Sequence, residues 1–209
     1  MTSEKTPITA TIVKHLMKLF IIIPLLITPP VCLILTTFSA ATSISEYTKA
    51  IEDSPEDMKY KFYLLRGKVF KDSGDINSAL KDFSTSIMLK PSIEAYQYRG
   101  EIYLEKGRNS SAIKDFTSAI EIRPSIYLYK LRGRAYLNSG NYVMALSDSA
   151  LIIESDPNVS ESYNLMIEVC DKLEDVELGR EKAHKALSID KTNKIANKFI
   201  SKYPPKIKL

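Results

Sequence analysis

The sequence has no tryptophan, two cysteines, two histidines and seven glycines in 209 residues, and these scarcities narrow what it can do. Cys32 lies in an apolar run and Cys170 on a predicted helix, settings too different for an intrachain disulfide, and a two-cysteine zinc site has nothing to complete it. His15 precedes the apolar run, which leaves His184 as the other histidine. Glu181 and His184 have the Glu-x-x-His spacing of metal sites in helix bundles, but such sites need a second copy and there is none. Phosphate-binding Gly-x-x-x-x-Gly-Lys-Ser/Thr loops, His-Glu-x-x-His and paired Cys motifs are also missing. The chain is therefore read as a non-enzyme with no cofactor and no metal. Charge of one sign is scarce too: net +4 is too mild to argue for a nucleic acid partner.

One long apolar run is present. Leu19 to Phe38 carries no charge over 20 positions, enough to cross a bilayer as a helix. Pro24, Pro29 and Pro30 interrupt it, and a Pro-Pro pair in mid-span would remove two backbone donors and kink the helix, which a signal peptide tolerates better than a mature span. Ser39-Ala40-Ala41 has the small-x-small form that signal peptidase reads. A cut there would make a long signal peptide from Met1 and an ordinary one from Met17, and both starts stay open. Lys5, Lys14 and Lys18 precede the run, while Glu46, Glu52 and Asp53 outweigh Lys49 after it, so positive charge places the amino terminus in the cytoplasm. Residues 1–41 are expected to be a cytoplasmic stub with a signal peptide or signal anchor. The rest is expected to be exported or membrane-anchored, on the extracytoplasmic side.

Beyond residue 57 one pattern is written three times. Gly67, Gly100 and Gly133 keep a constant step (100 − 67 and 133 − 100 both give 33), and so do Tyr63, Tyr96, Tyr129; Phe70, Tyr103, Tyr136; Gly74, Gly107, Gly140; Ala79, Ala112, Ala145; and Pro91, Pro124, Pro157. A fixed step of this size means stacked copies of one supersecondary unit. Within each copy apolar residues recur three and four apart, a Gly break follows, then a second helical pattern, then Pro. The spacing predicts helices over Met58–Asp72 and Asp75–Leu89, Ile93–Glu105 and Asn109–Ile122, and Ile126–Asn138 and Tyr142–Glu154. Degenerate copies flank them: Ser43–Ser54 as the second helix of a partial repeat, Val159–Leu173 and Val176–Ile189 as an irregular hairpin, and Asn193–Tyr203 as a cap with Lys194, Lys198 and Lys202 on its wet side.

These residues carry a resemblance. Tyr63, Gly67, Phe70, Ala79, Phe83 and Pro91, and likewise Tyr96, Gly100, Tyr103, Ala112, Phe116 and Pro124, are similar to the pattern of tetratricopeptide repeat (TPR) proteins. The resemblance implies an all-α, right-handed TPR solenoid of antiparallel helix hairpins, preceded by the N-terminal hydrophobic segment. Its expected divisions are a partial repeat helix over 42–57, repeats over 58–91, 92–124 and 125–157, a degenerate repeat over 158–191, and a capping helix with tail over 192–209. Gly67, Gly100 and Gly133 are expected to face Ala79, Ala112 and Ala145 across paired helices. In the third copy Ser149 replaces the Phe and Ile152 a smaller residue, which predicts a volume-conserving repacking.

Two further features bear on energetics and function. Arg66, Arg99 and Arg132 stand where the family has Leu, each sixteen residues before Asp82, Asp115 or Asp148, which predicts a partly buried bidentate pair clamping each repeat. The first helices of a TPR stack line a concave groove, and helical spacing puts Leu64, Lys68 and Lys71 on it, then Gln97, Glu101 and Leu104, then Lys130, Arg134 and Leu137, then Asn164, Glu168 and Asp171. Charge sign alternates along this face, which suits an extended or helical segment of mixed charge. The carboxylate-gripping pattern known in the family is not carried over, because Lys68 and Gln97 stand at its key places. The expected function is a non-catalytic adaptor that binds a protein or peptide for complex assembly at or beyond a membrane. The rival is a permanent structural subunit or self-associating module.

Overall fold

The computed structural model describes residues 29–204, with side chains from Ala40 onward, and every regular element among them is helical. The helices are α1 (Pro29–Asp53), α2 (Glu56–Asp72), α3 (Ile76–Leu89), α4 (Ile93–Glu105), α5 (Asn109–Ile122), α6 (Ile126–Asn138), α7 (Tyr142–Ser155), α8 (Asn164–Leu173), α9 (Val176–Ile189) and α10 (Lys194–Lys202), with a 3₁₀ turn over Ser160–Tyr163. Contacts divide the chain into two compact units, Met1–Ser43 and Ile44–Leu209.

Of the apolar segment expected to span or leave a membrane, residues 19–28 lie outside the described residues, and the remainder opens α1. Proline suits that first turn, where its missing N–H has no partner to lose. Among the described residues no helix is long and apolar enough to cross a membrane.

Local chemistry explains the hairpins. Gly74, Gly107 and Gly140 occupy the left-handed region (φ +86, +69 and +77), which closes the first helix of each pair at a conformation that costs glycine least. Asp75, Asn141 and Asp175 then cap α3, α7 and α9 by accepting from the backbone N–H groups of Ser78, Met144 and Leu178. Ser92 and Ser125 do the same for α4 and α6. Lys90 and Arg123, each followed by proline, are extended, so the second helices stop there.

The core runs between helices rather than through one centre. Phe83 and Phe116 are fully buried, and a Cβ on Gly67 or Gly100 would come within 2.8 and 2.7 Å of their rings. This corrects the expected glycine-to-alanine approach: the aromatic of the second helix, not the alanine, fills the space a side chain would take. In the third hairpin Ser149 cannot do this, and Leu165 of the following hairpin packs on Gly133 instead. Ser149 is fully buried with its hydroxyl donating to the Leu146 carbonyl (2.7 Å), and Ile152 is buried beside Leu165.

Two edges depart from expectation. The helix predicted over Val159–Leu173 begins as the 3₁₀ turn, because Ser160 donates to the Ala186 carbonyl (3.0 Å) and the Tyr163 hydroxyl to the Pro157 carbonyl (2.8 Å), tightening the first turn. Asn193 joins that turn to its neighbours: its amide donates to Ser160 Oγ (2.8 Å) and Asn164 Oδ1 (2.8 Å), while its oxygen caps α10 at Ile195 and Ala196.

The three arginines sit in one repeated setting. Arg66 donates Nε and Nη2 to Asp82 (2.7 and 2.9 Å), Arg99 to Asp115 (2.8 and 2.7 Å) and Arg132 to Asp148 (3.0 and 2.7 Å). The hydrogen bond to the aspartate holds each guanidinium above its ordinary pKa, against the opposing effect of burial. Each guanidinium also lies within 6.0 Å of two ring centroids, from the aromatics three before and four after it. The remaining Nη1 reaches the second helix of the preceding unit, at Thr48 (2.9 Å), Ser84 (3.0 Å) and Thr117 (3.3 Å). The clamp therefore ties successive units together as well as closing its own hairpin. Thr48 lies in the part of α1 that belongs to the second unit. At the fourth hairpin Ala150, Met166 and Lys182 stand at the hydroxyl, arginine and aspartate places, so all three parts are lost together.

Candidate functional site: the face of the first helices

Helices α2, α4, α6 and α8 lie side by side, and their shared face holds the residues expected to line a groove. The leucines there serve the core as much as the surface: Leu64 packs against Phe83 and Ile102, Leu104 joins the Phe116 cluster, and Leu137 is buried beside Val169.

The charges pair with each other. Lys71 of α2 bonds Glu101 of α4 (2.8 Å), and Glu101 also accepts from Gln97 (3.0 Å) and from the Tyr127 hydroxyl of α6 (3.0 Å). Burial pushes the Lys71 ammonium down, and the carboxylates of Glu101, first through its hydrogen bond, and of Glu105 and Asp72 together more than offset it, leaving its pKa raised. The Tyr127 hydroxyl is raised by burial and by the same carboxylate. Further along, Arg134 makes a bidentate pair with Glu168 of α8, and Lys202 of α10 bonds Asp171 (2.7 Å). Sequence spacing alone left this alternation free for a ligand to match. In the structure much of it is a ladder linking neighbouring hairpins. Lys68 is held 5.2 Å from the Tyr98 ring centroid, and Lys130 is exposed with no ion pair or hydrogen bond among the described residues.

Two cavities open where this face meets the capping helix. One, about 310 Å³, lies among Lys130, Arg134, Ile152, Ser162, Asn164 and Leu165. The other, about 350 Å³, lies among Leu137, Ile167, Glu168, Asp171, Lys198 and Phe199. Ile195 borders both, and the Arg134–Glu168 pair stands between them. The structure thus brings Lys130, Arg134, Leu137, Asn164, Glu168 and Asp171 to one recess, while Leu64, Lys68, Lys71, Gln97, Glu101 and Leu104 lie on the same face outside both cavities. Lys198 and Lys202 are exposed, on the wet side of α10 where spacing places them, but sequence reading missed that this side borders the larger cavity together with Phe199. The strong amphipathic pattern of α10 could have shown which side is wet, but not what that side faces.

Elsewhere the chemistry is sparse. His184 and Glu181 are exposed, and among the described residues no cluster of His, Cys, Asp and Glu could hold a metal ion. Cys170 is buried, and desolvation raises its thiol pKa to about 11, as expected of a packing residue.

Comparison with known proteins agrees with this architecture. The sequence profile of the tetratricopeptide repeat matches residues 60–93 and 93–126, and the chain carries such repeats there. No curated protein matches the chain by sequence. Among solved structures, a tetratricopeptide repeat protein from Parabacteroides merdae ATCC 43184 superposes with a TM-score of 0.70 at 15% identity, over 80% of this chain and 67% of that one. A crystal structure of MamA gives 0.66 at 19% identity, over 86% and 100%. YrrB, described as a TPR protein with an unusual peptide-binding site, gives 0.62 at 18% identity, over 75% and 82%. At these identities the likeness concerns the fold.

Proposed function

We propose that this repeat array is a non-catalytic scaffold that holds a segment of another protein against the face of its first helices. The observation that carries the reading is the pair of adjoining cavities bordered by Leu137, Ile195 and Phe199 with polar groups between, a recess of the mixed kind that seats a few side chains of an extended peptide. The groove residues assigned from sequence belong to this reading, with the recess as the main point of contact and Lys68, Glu101 and their neighbours as the approach to it. The apolar segment and the charge balance around it support placement of the array at or beyond a membrane. A reporter fused after Leu209 and the amino-terminal sequence of the mature protein test that placement.

The structural-subunit reading also has an observation in its favour. On α7, Val143 is 77% exposed, with exposed Met144 and Leu151 beside it, whereas the same places on α5 are Ser110, Ser111 and Ser118. Cross-linking from native membranes with the full chain separates the two. Capture that is lost on Lys130→Glu with Lys198→Glu, two exposed cavity residues, and kept on Val143→Glu, with helicity unchanged in both, supports the groove. The reverse pattern, with oligomers that persist on dilution, supports self-association and overturns it.

A further inference from the structure

The recess contains an unexplained polar group. Ser162 is 1% exposed, borders the smaller cavity, and its Oγ has no hydrogen-bond partner among the described residues. A buried hydroxyl without a partner destabilises the fold, whereas an alanine would pack there with nothing to satisfy. Its neighbours show a bias. Asn164 Oδ1 already accepts from Asn193, so the amide nitrogen of Asn164 is its remaining polar group. Lys130 lines the same cavity, its ammonium unpaired among the described residues. Arg134 is tied to Glu168, and the other acid there is Glu161, exposed at the rim.

Across both cavities the ion pairs Arg134–Glu168 and Lys202–Asp171 cancel. What remains is Lys130, Lys172 and Lys198 against Glu161. The unsatisfied groups are thus mainly donors and cations, and they flank an apolar wall of Leu137, Ile195 and Phe199. We infer that the recess selects segments in which an acidic side chain lies next to a large apolar one. The carboxylate is received by Ser162 Oγ–H, Lys130 and the Asn164 amide, and the apolar side chain enters the larger cavity. The inference rests on the groove reading above and narrows it to a chemical class of partner, with the energy of each charge-assisted bond as the source of discrimination.

The test is selection of a displayed library of ten-residue peptides on the purified full chain, followed by anisotropy of labelled copies of the enriched sequences. Asp or Glu within three positions of Leu, Ile, Met or Phe is the expected enrichment. Ser162→Ala should weaken the selected peptides roughly tenfold, the scale of one lost charge-assisted hydrogen bond, without lowering the melting temperature. A purely structural serine would not give that combination. Lys130→Glu, a change at an exposed position, should turn the preference toward Lys or Arg. Enriched peptides that lack an acidic preference, or that bind Ser162→Ala and Lys130→Glu unchanged, overturn the inference and leave the groove reading standing. Failure to enrich any peptide overturns both.

Discussion

Removing Asp115 leaves the Arg99 guanidinium between Tyr96 and Tyr103 with Ser84 as its one remaining hydrogen-bond partner. The arginine side chain is 19% exposed and can turn toward water, so Asp115→Ala should cost about 2–3 kcal/mol, near the lower end for breaking a buried pair. Arg99→Ala is the harsher change. It strands a carboxylate that is 3% exposed and removes a cation from two aromatic faces, which together should cost about 4–5 kcal/mol. In the double variant neither charge is stranded. Its loss should be close to that of Arg99→Ala alone, which implies a coupling of roughly 2–3 kcal/mol. Replacing the pair with apolar residues, Arg99→Met with Asp115→Leu, should fall within about 1 kcal/mol of the parent, as the Met166 place in the fourth hairpin suggests. Urea unfolding followed by far-UV circular dichroism measures each change, compared at constant m because stacked repeats can lose cooperativity. Single losses that add to within 0.5 kcal/mol in the double variant, on the scale of independent sites, would refute the pairing as a source of stability.

Three other expectations follow from local geometry. Glu174 holds φ +56 at the place filled by glycine in the other hairpins, so Glu174→Gly should raise stability by about 1 kcal/mol in thermal melts, and a loss would show that Glu174 makes a compensating contact. With its pKa raised to about 11, Cys170 should be thiolate in only about one molecule in a thousand at pH 8; in a Cys32→Ser chain, iodoacetamide should label it at least a hundredfold faster in urea than in buffer. The Asp171–Lys202 bond has an acid limit and an alkaline limit. Its hydrogen bond to Lys202 lowers the Asp171 pKa, so that contribution is complete above about pH 4 and fades as pH falls through the folded value. Lys202 is raised by Asp171, so its contribution is complete below about pH 10 and fades above. Hydrogen-exchange protection in α10, corrected for intrinsic rate, should drop at pH 3 more in the parent than in Asp171→Asn, where the carboxylate is already gone; an equal drop in both would remove the bond's role at the cap.

The repeat unit was legible from sequence because its instructions are local. A glycine at a left-handed turn, a capping Asp or Asn, a proline after an extended residue and apolar spacing of three and four act within a few residues of themselves, and the observed bounds of α4, α5, α6 and α9 match the predicted ones. The Arg and Asp pairs were also readable, since a constant offset on two helices of one hairpin fixes their separation. Tertiary structure decided what depends on a neighbour. Phe83 and Phe116 take the space over glycine, Leu165 replaces them over Gly133, and Thr48, Ser84 and Thr117 complete the arginine shells from the preceding unit. The groove shows the same division. Helical periodicity placed Lys71, Glu101, Arg134 and Glu168 on one face, but periodicity has no term for the distance between helices, and at 2.8 Å across that gap Lys71 and Glu101 satisfy each other. Stacking, which brings side chains from separate repeats within bonding reach, is what turned an alternating face into a ladder and left Lys130 and Ser162, among the described residues, unpaired beside a recess.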